Sequence, residues 1–225
     1  MPMTVSEVQR QERDALLGEY LIPVGILQIP PYVAIAAISD LTSTPSSLRA
    51  KYPLAIVPFP GSDTAMGFVQ HCPSLNYKFL WLRPEDNGYQ TKYKSFLEQH
   101  HGVKTIPSGY DVDHLFNRAR AIDLGLSYVR MVVLGPGENR SHGAAYEKSR
   151  TGGHIGTPGN QRGIDEVMLM KLCGIRSPRK NRPLSSEMLA HIQRIGAMFG
   201  IPPLEIERNI RELMAVAAFR SDDDD

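Results

Sequence analysis

"GYDVDHLFNRARAIDLGLSYVRMVVLGPGENRSH", residues 109–142, decides how this chain is organised. It leaves a Pro-Ser-Gly turn at 107–109 and sets Asp113 beside His114. "HLFNRARAIDLG" has the composition of a short helix closed by Gly125. "LSYVRMVVL" is a β-branched run that reads as a strand ending at Gly135, Pro136 and Gly137. "ENRSHGAAYEKSR" follows, with helix-favouring residues after Gly143 and a glycine pair at 152 and 153. Asp113 then has two readings. It caps the helix "HLFNRARA", with His114 at the first helical position, or it forms a reactive pair with His114.

Upstream, Thr4 and Glu7 make a capping box, and Val8, Ala15, Leu16 and Leu17 follow at near-helical spacing, so the chain opens with a helix. From Ile22 to Arg83 the short apolar runs "VGILQI", "YVAIAAI", "LAIVPF" and "FLWLR" are each bounded by turn residues and read as strands of an irregular sheet, with Trp81 in or beside its core. "KYKSFLEQHHGV" reads as a helix ending at Gly102. Downstream, residues 151–183 are rich in Gly, Pro, Arg and Lys, apart from the apolar piece "IDEVMLMKLCGI", and read as a mobile or partner-ordered connection around a short helix. Met188, Leu189, Ile192, Ile195 and Phe199 then keep helical spacing up to Gly200, and "PPLEIERNIRELMAVAAF" starts a second helix. The closing "SDDDD" reads as solvated and disordered.

Of the 225 residues, 42% are apolar, enough to bury a core. A formal net charge of +1 neither marks nor excludes a nucleic-acid partner, so the local distribution of charge matters more. Cys72 and Cys173 stand far apart, which argues against a disulfide framework or a cysteine zinc site and fits a reducing compartment. The N-terminus carries charges of both signs and lacks the apolar core of a secretory signal, so a cytoplasmic protein is expected. Tyr20 to Ser39 carries no charge and has about the length of a membrane span, roughly 20 residues. Pro23, Pro30 and Pro31 would break backbone bonds that lipid cannot replace, so buried strands and turns are expected there, with no stable membrane insertion.

The Asp-His pair has a chemistry of its own. Histidine, with an ordinary pKa of about 6.5, suits removal of a proton from water at neutral pH. A neighbouring carboxylate suits a hard divalent cation, since Mg²⁺ prefers oxygen and commonly takes only one or two protein ligands. A second ligand or an orienting amide could come from Asn139 and His142 in "NRSH", at the expected helix start, or from Glu147 about a turn and a half later.

Over residues 107–150 this pattern resembles the HNH, or ββα-metal, nucleases, in which an Asp-His pair, a downstream Asn and a final His or Asn frame one metal on a strand, strand and helix unit. "YDVDH" matches the opening of that motif. The resemblance implies that His114 is the general base, Asp113 a metal ligand, and Asn139 the residue that holds the His114 loop or reaches the metal. Asn139 stands only three residues before His142, where the family commonly leaves about nine, so His142 or Glu147 would complete the site. The ion would be divalent, Mg²⁺ first and Mn²⁺ or Zn²⁺ as alternatives, and would neutralise charge at the scissile phosphate.

The fold class expected is therefore α+β: an irregular N-terminal sheet region, a central ββα-metal-like unit and a C-terminal helix pair. The boundaries fall at 1–106, 107–155, 156–184 for the basic connection, 185–220 for the helices and 221–225 for the acidic tail. The substrate would be nucleic acid, DNA ahead of RNA, contacted by Arg118, Arg140, Lys148, Arg150 and Arg162, because phosphate contacts supply most sequence-independent affinity. A toxin of this class would imply a dedicated inhibitor protein, and no motif specifies an oligomeric state. Two rival readings differ. In one, a non-catalytic binding or assembly protein uses Asp113 only as a helix cap; in the other, a hydrolase of smaller phosphate esters has a closed pocket.

The other histidines read as structural. His100 and His101 end a helix, where a cation suits the macrodipole. His154 lies in a glycine-rich loop, His71 and Cys72 lack a partner motif for metal, and His191 is expected at a helix surface.

Overall fold

The strand expected at "LSYVRMVVL" lies at the centre of the molecule's sheet. A computed structural model describes residues 2–20, 31–42, 54–73, 76–147, 161–179 and 181–217. Seven strands occur among them: β1 (Tyr32–Ile35), β2 (Ala55–Pro58), β3 (Gly67–Cys72), β4 (Tyr77–Leu82), β5 (Asp111–His114), β6 (Tyr128–Leu134) and β7 (Gln161–Gly163). Eight helices accompany them: α1 (Val5–Tyr20), α2 (Ile38–Thr42), α3 (Tyr89–His101), α4 (Arg118–Asp123), α5 (Pro136–Ala144), α6 (Glu166–Leu172), α7 (Ser186–Phe199) and α8 (Pro203–Ala217). The fold is α+β, with the expected helix pair at its C-terminal end.

Every strand pairing is antiparallel, in the order β2-β3-β4-β6-β1-β7. β5 pairs with β6 beyond that path, from Asp111 opposite Leu134 to His114 opposite Met131. Strand β6 therefore serves two partners in its first half and another in its second. All seven of its residues are buried, which is why it reads as a continuous apolar run and not as an alternation. The chain divides into two compact units, residues 1–134 with 158–164 and residues 135–157 with 165–225.

The first unit is the sheet with α1 to α4. Its core gathers Val5 and Val8 of α1, Val69, Leu80 and Leu82 of the sheet, Tyr93, Phe96 and Leu97 of α3, and Val112, Met131 and Val133 of the β5–β6 pair. The capping box forms as expected: Thr4 N and Oγ1 both donate to Glu7, and Glu7 N donates back to Thr4 Oγ1 at 3.2 Å. Trp81 is fully buried, and its indole N–H donates to Gln70 Oε1 at 2.8 Å. Helix α3 ends where the sequence places it, at Gly102, whose φ of 70° is left-handed and favours glycine.

The second unit is helical. Helices α7 and α8 pack on each other, and α6 packs against both α8 and α5. Ser185 caps α7 through Met188 N, and Ile192, Ile195, Ile206 and Ile210 are buried.

Several expectations change. Asp113 is not a helix cap. Helix α4 begins only at Arg118, and Asn117 caps it by accepting from Arg120 N at 3.0 Å. Residues 111–114 gain more as a strand, because alternation buries Val112 and His114 while the backbone bonds to β6. "YVAIAAI" forms only a four-residue strand before α2 starts. The helix after β6 starts at Pro136, since proline at the first position is preorganised for it, so "NRSH" lies within the helix and not at its start.

Where composition predicts a loose connection, Gln161–Gly163 joins the sheet beside β1; the short helix expected within it is α6, which follows its Asp165 cap and has six of its seven residues buried. His191 is buried, contrary to a surface position, because it lies on the apolar stripe of α7 with Met188, Ile192 and Ile195. No helix among the described residues is long and apolar enough to cross a membrane. The run "VGILQI", His154, Lys148, Arg150, Lys180 and the acidic tail lie outside the described residues.

Candidate functional site

Strand β5 sorts the motif by parity. Asp111 and Asp113 are half-buried on one face, while Val112 and His114 turn to the other and are buried. Adjacent residues of a strand must point to opposite faces, so Asp113 and His114 share a backbone position but not an orientation. His114 is 3% exposed, and its ring lies against Tyr89, centroids 4.8 Å apart and planes inclined at 55°. The ladder continues past the pair, as Leu115 N donates to Arg130 O at 2.9 Å.

Tyr89 opens α3 just after a loop fastened from two sides. Asp86 Oδ1 accepts from Gly88 N at 2.7 Å, and its other oxygen pairs with Lys92. Arg118, at the start of α4, reaches the same loop, its Nη2 donating to Asn87 Oδ1 at 2.7 Å and to Glu85 O at 3.3 Å. Arg118 is thus bound within the sheet unit. Arg162 stands on β7 of that unit, its Nη1 donating to Gln161 O at 2.8 Å.

The remaining motif residues belong to the helical unit. Asn139 is half-buried in α5 and Arg140 is exposed. His142 is 1% exposed, and its Nε2–H donates to Ile175 O at 2.9 Å. Burial pushes its imidazole down to about 4; the Ile175 carbonyl pulls the other way, and the ammonium of Lys171 adds to the fall. The ring is therefore neutral at pH 7. Lys171 is fully buried and pairs with Glu147 Oε1 at 2.6 Å, and its charge is the one that disfavours the His142 cation. Beside them Tyr146 Oη donates to Asp165 Oδ2 at 2.6 Å, while Asp165 Oδ1 caps α6 through Met168 N.

The donor chemistry can be tested against a hard cation. Asp113 fits, being a half-buried carboxylate of the kind Mg²⁺ takes singly from a protein. Glu147 shares its carboxylate with Lys171, and His142 has committed Nε2–H to a carbonyl, leaving Nδ1 for a ligand. Among the described residues, no group of three His, Cys, Asp or Glu side chains is gathered as a metal site.

Three residues of these surroundings escape a sequence reading. Tyr89 is 25 positions from His114 and carries no motif, Asn87 looks like ordinary loop, and Lys171 is one cation in an apolar run. Only the last leaves a trace, since a lysine amid "VMLMKLCGI" requires a buried partner. Elsewhere, the surroundings of His100 and His101 at the end of α3 disfavour the cation. Burial pushes His101 down to about 4 and lowers His100, with Lys78 adding to both. None of the protein families, curated proteins or solved structures compared with the chain matches it.

Proposed function

We propose that the chain is a metal-dependent nuclease of HNH-like type, hydrolysing phosphodiester bonds in DNA ahead of RNA, inside the cytoplasm. One observation carries the reading: the Asp-His pair ends a strand registered on β6, Asp113 opposite Val132 and His114 opposite Met131. A helix cap would not stand there, whereas the resemblance requires it. After β5 the chain forms the short helix α4 and then β6, and it passes through Gly135 directly into the helix that bears Asn139 and His142.

In this reading His114 takes the proton from the attacking water. Asp113 would hold a divalent ion, which supplies charge neutralisation at the phosphate. Exposed Arg140, Arg176, Arg179 and Arg182 supply phosphate contacts from the helical unit.

A second reading has its own support. His114, His142 and Glu147 are engaged in packing, a carbonyl hydrogen bond and an ion pair, as expected of a binding or assembly protein whose polar residues are structural. Plasmid DNA and a structured RNA incubated with Mg²⁺, Mn²⁺, Zn²⁺ or EDTA separate the two, comparing wild type with His114→Ala. Metal-dependent cleavage lost in a variant whose circular dichroism is unchanged supports the nuclease. No cleavage by wild type with any of the three metals leaves the binding protein.

A further inference from the structure

We infer that Arg118 is a latch that keeps His114 covered and is released when a nucleic-acid phosphate takes its guanidinium. The inference rests on the nuclease reading. It starts from a difficulty, since a base that must reach water is only 3% exposed beneath the ring of Tyr89. Tyr89 is the first residue of α3, in a turn whose backbone N–H groups have no partner within the helix and which opens most readily.

Tyr89 also packs against the core of the sheet unit, and the loop that leads into it is held by a residue beyond His114 in the chain. Arg118 follows His114 by four residues and grips the loop before Tyr89 through Asn87 Oδ1 at 2.7 Å and Glu85 O at 3.3 Å. Asp86 binds that loop to α3 through Gly88 N and Lys92, so loop and first turn form one piece, with Arg118 as its tie to α4.

Both acceptors of Arg118 are neutral. A phosphodiester is charged and presents two oxygens to the guanidinium fork, so it outcompetes an amide and a carbonyl. Exchange leaves Asn87 without its donor, lets the first turn of α3 loosen and swings Tyr89 off the imidazole. Arrival of substrate and exposure of the base then become one event.

Diethyl pyrocarbonate modifies accessible neutral imidazoles, and mass spectrometry of peptides reads the rate at each histidine. In the full chain His114 should react slowly, like buried His142 and His191. Asn87→Ala, which spares Arg118, should raise the His114 rate by about tenfold, as loss of a hydrogen bond to a charged group implies. Tyr89→Ala should raise it too. Inorganic pyrophosphate should raise it in wild type and have no effect on Arg118→Ala, whose rate starts high.

An unchanged His114 rate in Asn87→Ala and Arg118→Ala overturns the latch, as does a pyrophosphate effect that survives Arg118→Ala. A parallel rise at His142 and His191 means general loosening and counts against it equally. The readout needs no cleavage, so it fails separately from the nuclease: a latch without cutting sinks the function, and cutting with an unmoved His114 rate sinks the latch.

Discussion

Tyr93 of α3 donates its hydroxyl to Glu12 Oε1 of α1 at 2.7 Å, and both side chains are buried in the sheet unit. Burial pushes the Glu12 carboxyl up to about 8, against the pull of Tyr93, of the Val133 backbone and of Arg130. Burial, with the nearby Glu12 carboxyl adding to it, drives the Tyr93 hydroxyl well above its usual range. Arg130 is itself enclosed, its guanidinium 4.4 Å from the ring centre of Phe79 and 5.0 Å from that of Trp81. Glu12 thus enters the core as an acid that keeps its proton at neutral pH.

Stability should therefore respond to this group from the alkaline side. The folded-state value lies above the ordinary 4.5, so its contribution is complete below about 4.5 and is lost as pH rises through about 8. Glu12→Gln, which imitates the protonated form, should match wild type near pH 5. Above that it should gain on wild type by roughly 1.4 kcal/mol per pH unit up to about pH 8. Thermal unfolding followed by circular dichroism across this range is the check, and parallel curves for the two proteins would sink the assignment.

Acid should act through the histidines in the opposite sense. Burial pushes His142 and His191 each down to about 4, and Arg194, whose Nη2 donates to His191 Nδ1 at 3.0 Å, adds to the fall at His191. Their folded-state values lie below 6.5, so the stability they carry is present above that value and lost as pH falls toward about 4. His142→Gln, which keeps a donor for the Ile175 carbonyl, should flatten the decline in melting temperature between pH 6.5 and 4. An unchanged acid limb in both His142→Gln and His191→Gln would show that other groups govern it.

What the sequence discloses follows from the range of each force. Local signals survive folding: the Thr4–Glu7 box, the Gly102 cap, the β-branched run of β6 and the helical stripe of α7 are set by residues within a turn or two of one another. Asp113 is ambiguous in sequence because acidic residues precede helices and also end strands, and only pairing with β6, 19 residues beyond at Val132, decides between them. His191 looks solvent-exposed one residue at a time, yet it shares the buried side of α7. The cover over His114 and the Lys171–Glu147 pair are long-range contacts with no local signature.

That ion pair makes an asymmetric prediction. Lys171 is fully buried and Glu147 is 11% exposed, so removing the carboxylate takes its counter-charge from an ammonium in the core while removing the ammonium leaves an acid with some access to water. Glu147→Gln should cost about 3–5 kcal/mol in urea unfolding, and Lys171→Met clearly less. The double variant Glu147→Leu with Lys171→Met should recover most of the loss, since well-packed apolar residues often replace a buried pair without penalty. Additive losses in that double variant would mean the two side chains are not coupled.

Asp113 offers the cleanest separation of chemistry from structure, for the reason that parity gives. His114 lies on the core side of β5, so His114→Ala removes a packed ring and should cost about 2 kcal/mol whether or not the protein cuts nucleic acid. Asp113 is half-buried on the other face, and Asp113→Asn keeps its shape, so its melting temperature should correspond to a change within about 1 kcal/mol. If Asp113 holds a divalent ion beside the scissile phosphate, this substitution removes a hard anionic ligand and should abolish Mg²⁺-dependent cleavage of plasmid DNA while the fold persists. Asp113→Asn that cuts at the wild-type rate would take the carboxylate out of the mechanism, and with it the strongest chemical part of the resemblance at "YDVDH".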